Sequence, residues 1–167
     1  MTWEQRKLGS LLQVHSGRDY KELGNGTIPV YGTGGYLTSV DSCLSETDAI
    51  GLGRKGTINK PQFLEGPFWT VDTLFYMTPN RKMNLYFLFT LVSKVNWLRY
   101  DESTGVPSLS KSTIEAVLVH TPEYEEQLKI GVLSHHVDSL IAANERQRVL
   151  IKKGSIEIMQ LTIINIL

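Results

Sequence analysis

At 167 residues the chain can form one ordinary domain and an appendage, and its 17 basic and 17 acidic side chains cancel to a formal net charge of zero at pH 7. That balance excludes a global field declaring a nucleic-acid or acidic partner and leaves only local patches for phosphate contact. The single cysteine, Cys43, excludes an internal disulfide; with no secretory signal and no apolar run of membrane-spanning length, the expectation is a cytoplasmic protein with no membrane partner.

In chain order, Trp3 to Val14 opens with a polar stretch that ends near the pair Leu11-Leu12. Ile28-Pro-Val-Tyr31 predicts a short extended segment leading into the turn Gly32-Thr-Gly-Gly35. Asp48-Ala-Ile-Gly-Leu-Gly53 predicts a buried strand entering a loop. Phe68 to Tyr76 is rich in aromatic and β-branched residues and predicts one strand, with Asp72 inside it. Leu85, Leu88, Leu91, Val92, Val95 and Leu98 recur at helical spacing, so Asn84 to Leu98 predicts an amphipathic helix. Ile114 to Val119 returns to a strand pattern. The pattern as a whole predicts an α/β (α+β) domain with a mixed, mostly antiparallel sheet over residues 1–121.

The character changes at Pro122. From Glu123 to Leu161 there is no proline, and the only glycines are Gly131 and Gly154. Thr121 can cap a helix, Pro122 suits its first position, and Glu123, Glu125 and Glu126 suit its positive end. Ile130, Leu133, Val137, Leu140, Asn144, Gln147, Ile151, Gly154, Ile158 and Leu161 follow at alternating steps of three and four, which keeps one stripe facing a partner helix. Residues 122–167 therefore predict one long coiled-coil helix; about 38 residues at 1.5 Å each span roughly 57 Å. The polar positions Asn144 and Gln147 would fix its register.

Three loops carry candidate chemistry. Gly51-Leu-Gly-Arg-Lys-Gly56 formally matches a dinucleotide fingerprint, but that fingerprint needs a following helix, and Pro61 stops a helix within one turn. It also lacks the Lys-Ser/Thr of a P-loop. Its better functional reading is a basic loop, in which Arg54, Lys55 and Lys60 meet phosphates or guanine, Thr57 assists, and Asn59 reads adenine. Its plain reading is a tight connection between strands. Thr104-Gly-Val-Pro-Ser-Leu-Ser-Lys111 offers Thr104, Ser108, Ser110 and Lys111 for phosphate contact, or serves only as a surface connection. Thr33 to Tyr36 forms a third loop, where Tyr36 either packs or binds. Enzyme readings find no support: His135 and His136 do not share a helix face, no Ser/His/Asp arrangement has readable spacing, and no metal or cofactor is expected. Asp72, if buried in its strand, is a hydrogen-bonded structural group rather than a catalyst.

Several of these strings together resemble one family, the specificity (S) subunits of type I restriction-modification enzymes. They are Trp3-Glu-Gln-Arg-Lys-Leu-Gly9, Ile50-Gly-Leu-Gly-Arg-Lys-Gly-Thr-Ile58, Phe68-Trp-Thr-Val-Asp-Thr-Leu-Phe75 and Thr104-Gly-Val-Pro-Ser-Leu109. Pro122 with Glu126-Gln127 and Ile130, then Val137-Asp138 and Ile141, resembles the start of the family's spacer helix; Lys152-Lys-Gly154 and Met159-Gln160 resemble its end. The resemblance implies a target-recognition domain that reads one half of a split double-stranded DNA site. It further implies helices that set the separation and dock methyltransferase (M) subunits, with restriction (R) subunits adding cleavage. One recognition domain and one helix look like half an S subunit, completed by a homodimer or by another S chain. No Asn/Asp-Pro-Pro-aromatic motif is present, so the chain is not expected to methylate adenine itself.

Two rival readings belong to other classes. A dimeric protein-interaction scaffold would bind no duplex DNA. A nucleotide-dependent enzyme would use the Gly51–Gly56 loop. Within the family, a silent or truncated recognition cassette is the alternative to a working subunit.

Overall fold

The computed structural model describes residues 3–164, and side chains for residues 3–153. The chain divides into two compact units, one ending at Gly131 and the other beginning at Val132. The first unit is the head. It contains β1 (Glu4–Lys7), β2 (Leu12–Ser16), β3 (Asn25–Gly32), β4 (Gly35–Val40), β5 (Ala49–Gly53), β6 (Gln62–Leu64), β7 (Trp69–Thr70), β8 (Leu74–Pro79), α1 (Leu85–Lys94), α2 (Lys111–Ala116) and β9 (Leu118–Thr121). The final helix, α3, runs Tyr124–Ile164 and begins within the head.

The fold is α+β with mostly antiparallel pairing, divided among three sheets. A four-stranded sheet has the order β2-β8-β5-β6, a three-stranded sheet the order β4-β3-β7, and β1 pairs with β9 alone. Only β3 and β7 run parallel. Alternation explains the main core. Leu12 and Val14 of β2, Ile50 and Leu52 of β5, and Phe75 and Met77 of β8 point to one face. There they meet Phe87, Leu88 and Val92 of α1, Ile114 of α2, and the buried Leu8, Leu11 and Trp97. The opposite face brings Ala49 and Leu64 onto Phe68, with Tyr31 and Tyr76 alongside. A smaller cluster of Val30, Val40 and Trp69 closes the three-stranded sheet.

Four local expectations differ from the structure. Phe68–Tyr76 is not one strand: it breaks at Val71–Thr73, so the parallel pairing of β7 and the antiparallel pairing of β8 are separate. Asp72 sits in that break and is exposed, not buried in a strand. Ile114–Val119 is the end of α2 followed by β9. Ser110 caps α2 by accepting from the Thr113 N–H at 3.1 Å, which starts a helix where the apolar run reads as a strand. Thr121 ends β9 rather than capping α3; its hydroxyl accepts from Gln127 Nε2 at 3.3 Å.

Gln127 organises the first turn of α3. Its side chain is 1% exposed. It donates to the Pro122 carbonyl at 3.0 Å and accepts from the Asn84 N–H at 3.3 Å. Asn84 in turn caps α1 by accepting from the Phe87 N–H at 2.9 Å. Gly131 packs so closely on the Asn84 side chain that a Cβ there would strike it.

Along α3, Ile130 is half-buried against the head's main core. Leu133, Val137, Leu140, Asn144, Gln147 and Ile151 are exposed. The side chains of Ile158 and Leu161 lie outside the described residues. Val132, Val149 and Leu150 are also exposed and lie off the stripe, so apolar surface occupies more than one side of this helix.

Candidate nucleic-acid interface

The three loops singled out from the sequence meet at one end of the head. β5 delivers the first loop and ends at Gly53. Arg54 N–H donates to the Thr73 carbonyl at 2.8 Å, and Ile58, fully buried, anchors the loop from beneath. Gly56 turns the chain with φ +94°, a left-handed value that glycine takes without strain. Its N–H donates to the Pro107 carbonyl at 2.8 Å, and Leu109 N–H donates to the Arg54 carbonyl at 2.9 Å. Lys55 and Ser108 form an antiparallel bridge. The loops after β5 and before α2 are therefore stitched along their backbones. The β3–β4 hairpin tip joins them from the other side. Gln62 Nε2 donates to the carbonyls of Gly32 at 2.9 Å and Thr33 at 3.2 Å, and Thr33 Oγ1 lies beside Gly56.

Arg54, Lys55, Asn59 and Lys60 are exposed, and Thr57 is half-buried. Among the described residues, Arg54, Lys55 and Lys60 make no ion pair. The Arg54 guanidinium is nonetheless positioned: Nη1 donates to the Asp72 carbonyl at 3.5 Å, and its carbon lies 5.8 Å from the centre of the Phe75 ring. Lys111 is exposed and pairs with Glu115 at 3.6 Å, a surface contact worth little in water and easily exchanged. Thr104 is exposed. Ser108 is half-buried, with its N–H on Asp101 and its carbonyl on Glu102. The Ser110 hydroxyl is occupied by its capping role and by Glu102 Oε1 at 2.8 Å. Tyr36 is exposed on β4, its hydroxyl 3.1 Å from Ser39 Oγ and its ring edge-on to Tyr31.

Sequence reasoning missed the group that holds the second loop in shape. The Asp101 carboxylate accepts from the N–H and hydroxyl of Ser103 and from the N–H of Ser108, all within 3.0 Å. These bonds hold its carboxyl below its ordinary value of 3.8. Glu102 is likewise lowered, by the hydroxyls of Thr113 and then Ser110. The signal was present: an Asp two residues before a Ser, ahead of a glycine, is the pattern of a side chain closing its own turn. His15 is a second group that the sequence pattern does not mark. It stacks on Tyr76 with centroids 4.8 Å apart and bonds Thr78 Oγ1 at 2.9 Å. Its pKa is lowered by burial and then by Lys111.

The dinucleotide reading of Gly51–Gly56 lacks its structural partner. Gly51 and Gly53 lie within β5, and a loop leading to β6, not a helix, follows Gly56. Among the described residues no cluster of His, Cys, Asp or Glu could hold a metal ion. No helix there is long and apolar enough to cross a membrane.

The chain is similar in fold to three solved structures. The S subunit of a type I restriction-modification system from M. genitalium matches with a TM-score of 0.75 at 20% identity, over 87% of this chain and 41% of that one. A chain from a structure of type I R-M complex assembly and conformational transition matches with a TM-score of 0.64 at 15% identity, over 86% and 40%. The HsdS subunit from Thermoanaerobacter tengcongensis matches with a TM-score of 0.56 at 14% identity, over 86% and 39%. This chain thus spans about two fifths of the length of each. No curated protein sequence matches it. The family profile described as "Type I restriction modification DNA specificity domain" matches residues 1–153, and over that span, which contains all three loops and most of α3, the chain belongs to that family.

Proposed function

We propose that this chain is a non-catalytic, sequence-specific DNA-reading subunit that directs a DNA adenine methyltransferase, and through the same complex a restriction subunit, to a bipartite target. The family match over residues 1–153 carries the reading. The gathering of three loops at one end of the head, the first of them carrying Arg54, Lys55 and Lys60 without an ion pair among the described residues, supports it. Arg54, Lys55, Lys60 and Lys111 contact phosphates, with Thr104 beside them, and Asn59 reads a base edge. Residues 1–121 are the recognition domain and residues 122–167 the spacer helix. The exposed stripe from Leu133 to Ile151 pairs with a second copy or with another S chain, and the M subunit docks on the pair. The assembly works in the cytoplasm and needs no cofactor held by this chain.

The test is co-expression with a cognate M subunit followed by mapping of methylated adenines across the host genome. The expected result is a split motif; with two identical copies related by a two-fold axis it is an inverted repeat with an unread spacer. A methylation pattern that does not depend on this chain overturns the reading.

A further inference from the structure

We infer that Val106 is a specificity-determining residue whose apolar side chain meets the 5-methyl group of a thymine in the recognised half-site. The inference rests on the proposed DNA-reading role of the loop surface and adds to it one contact and one base.

Val106 lies in the loop before α2 and is 57% exposed. It belongs to none of the three apolar clusters among the described residues. Its neighbours Ser103, Thr104 and Ser108 are polar. The loop beneath it is fixed: Asp101 gathers Ser103 and Ser108, Glu102 N–H bonds the Ser108 carbonyl at 3.0 Å, and Pro107 accepts from Gly56 at 2.8 Å. A β-branched side chain on such a base has little rotamer freedom left to lose on binding. It stands on the loop whose backbone is bonded to Arg54 and Gly56, next to the loop that carries Arg54, Lys55 and Lys60 without an ion pair among the described residues.

Two details of chemistry narrow the ligand. The major-groove edges of the bases carry hydrogen-bonding groups and one apolar feature, the thymine methyl, which is the natural mate of an aliphatic side chain. The preceding Gly105 has nothing within 4 Å of where a Cβ would stand, and its φ lies outside the left-handed region. Neither packing nor backbone geometry inside the protein calls for glycine there. Its missing side chain leaves room outside, where a sugar-phosphate strand would pass. An exposed valine with no role is common on protein surfaces, and the experiment separates that outcome.

The chain assembled with its M subunit is titrated with duplexes carrying the mapped half-site, each thymine replaced in turn by deoxyuridine. This removes one methyl and leaves base pairing intact. At one thymine the wild type should bind the deoxyuridine duplex about fourfold more weakly, the worth of one buried methyl group. V106A should bind both duplexes alike, with an unchanged melting temperature and an unchanged salt dependence. G105A should keep or raise the melting temperature and weaken binding to every duplex equally. Discrimination at no thymine, or discrimination that survives in V106A, overturns the inference while half-site preference and salt dependence leave the DNA-reading role standing. A half-site with no A·T pair overturns it as well. A wild type without any half-site preference removes the DNA-reading role, and this inference with it.

Discussion

The Gly56 N–H and the Pro107 carbonyl meet at 2.8 Å, and through that bond the basic loop after β5 and the polar loop before α2 become one surface. G56A places a side chain at φ +94°. It should lower stability by about 1–3 kcal/mol in a denaturant melt, and loosen the bond to Pro107. DNA affinity should fall more than stability alone explains. Retention of full affinity would show that the two loops bind independently.

K55A and K60A should each weaken binding to all sequences by a similar factor and flatten the salt dependence by about one unit of slope. N59A should instead lose about 1–3 kcal/mol at one base pair and relax specificity there. Titration of matched and mismatched duplexes over a range of salt concentrations separates the two behaviours. Specificity loss in K60A, with no change of slope, would reverse these assignments.

The second loop should open in acid. Asp101 has its folded pKa depressed below 3.8 by hydrogen bonds from Ser108 and Ser103, so folding favours its charged form. That stabilisation is fully present above 3.8 and is lost as pH falls through the lower folded value. Glu102, lowered from 4.5, adds to it in the same direction. Amide exchange at Ser103 and Ser108 should therefore lose protection only below about pH 4. D101N should weaken protection at neutral pH and flatten the acid transition. Opening of the wild-type loop near pH 6 would assign the transition to another group.

Three positions on one stripe of α3 should fall into two classes. L140E with I151E should give monomers in sedimentation without altering the melt of the head, since both side chains are exposed. I130A, by contrast, should lower head stability by about 1–2 kcal/mol, a partly buried share of the usual loss for an aliphatic truncation, because Ile130 packs on the main core. An unchanged mass for the double variant would show that the stripe does not hold two chains together.

G131A tests the junction of α1 and α3. A Cβ at Gly131 strikes the Asn84 side chain that caps α1. Displacing that cap should cost about 1 kcal/mol. Alanine's helix gain over glycine, about 1 kcal/mol, offsets that loss, so a melt above wild type would show that Asn84 can swing aside and still bond Phe87.

Sequence patterning carried the elements whose own residues decide them. β5 is an apolar run, α1 has helical spacing behind the Asn84 cap although it ends at Lys94 rather than at the expected Leu98, and the β3–β4 hairpin turns at glycines. It failed where a short polar signal outranks an apolar run. Ile114–Val119 reads as strand by composition, but the Ser110 cap starts a helix and leaves only Leu118–Thr121 to pair with β1. Phe68–Tyr76 reads as one strand, yet its halves serve different sheets, a tertiary fact no local pattern holds. The candidate loops were visible as separate basic and polar strings. Their contact was not, because it is made by backbone groups of Gly56, Pro107, Arg54 and Leu109, which have no sequence signature. Ser110 shows the converse: a hydroxyl that looked free for phosphate is spent on Thr113 and Glu102.

The pairing of β1 with β9 places Lys7 opposite Leu118 in antiparallel register, so the intervening chain departs and returns across a gap of about 5 Å. Everything proposed to touch DNA lies between those two strands, and the block is seated a second time where Asn84 meets Gln127 and Gly131. Nearby entry and exit points are the geometry under which a folded block tolerates transplantation. A block exchanged for residues 8–117 would have to match that end separation and also restore the seat that Asn84 and the main core give Gln127, Gly131 and Ile130 at the start of α3.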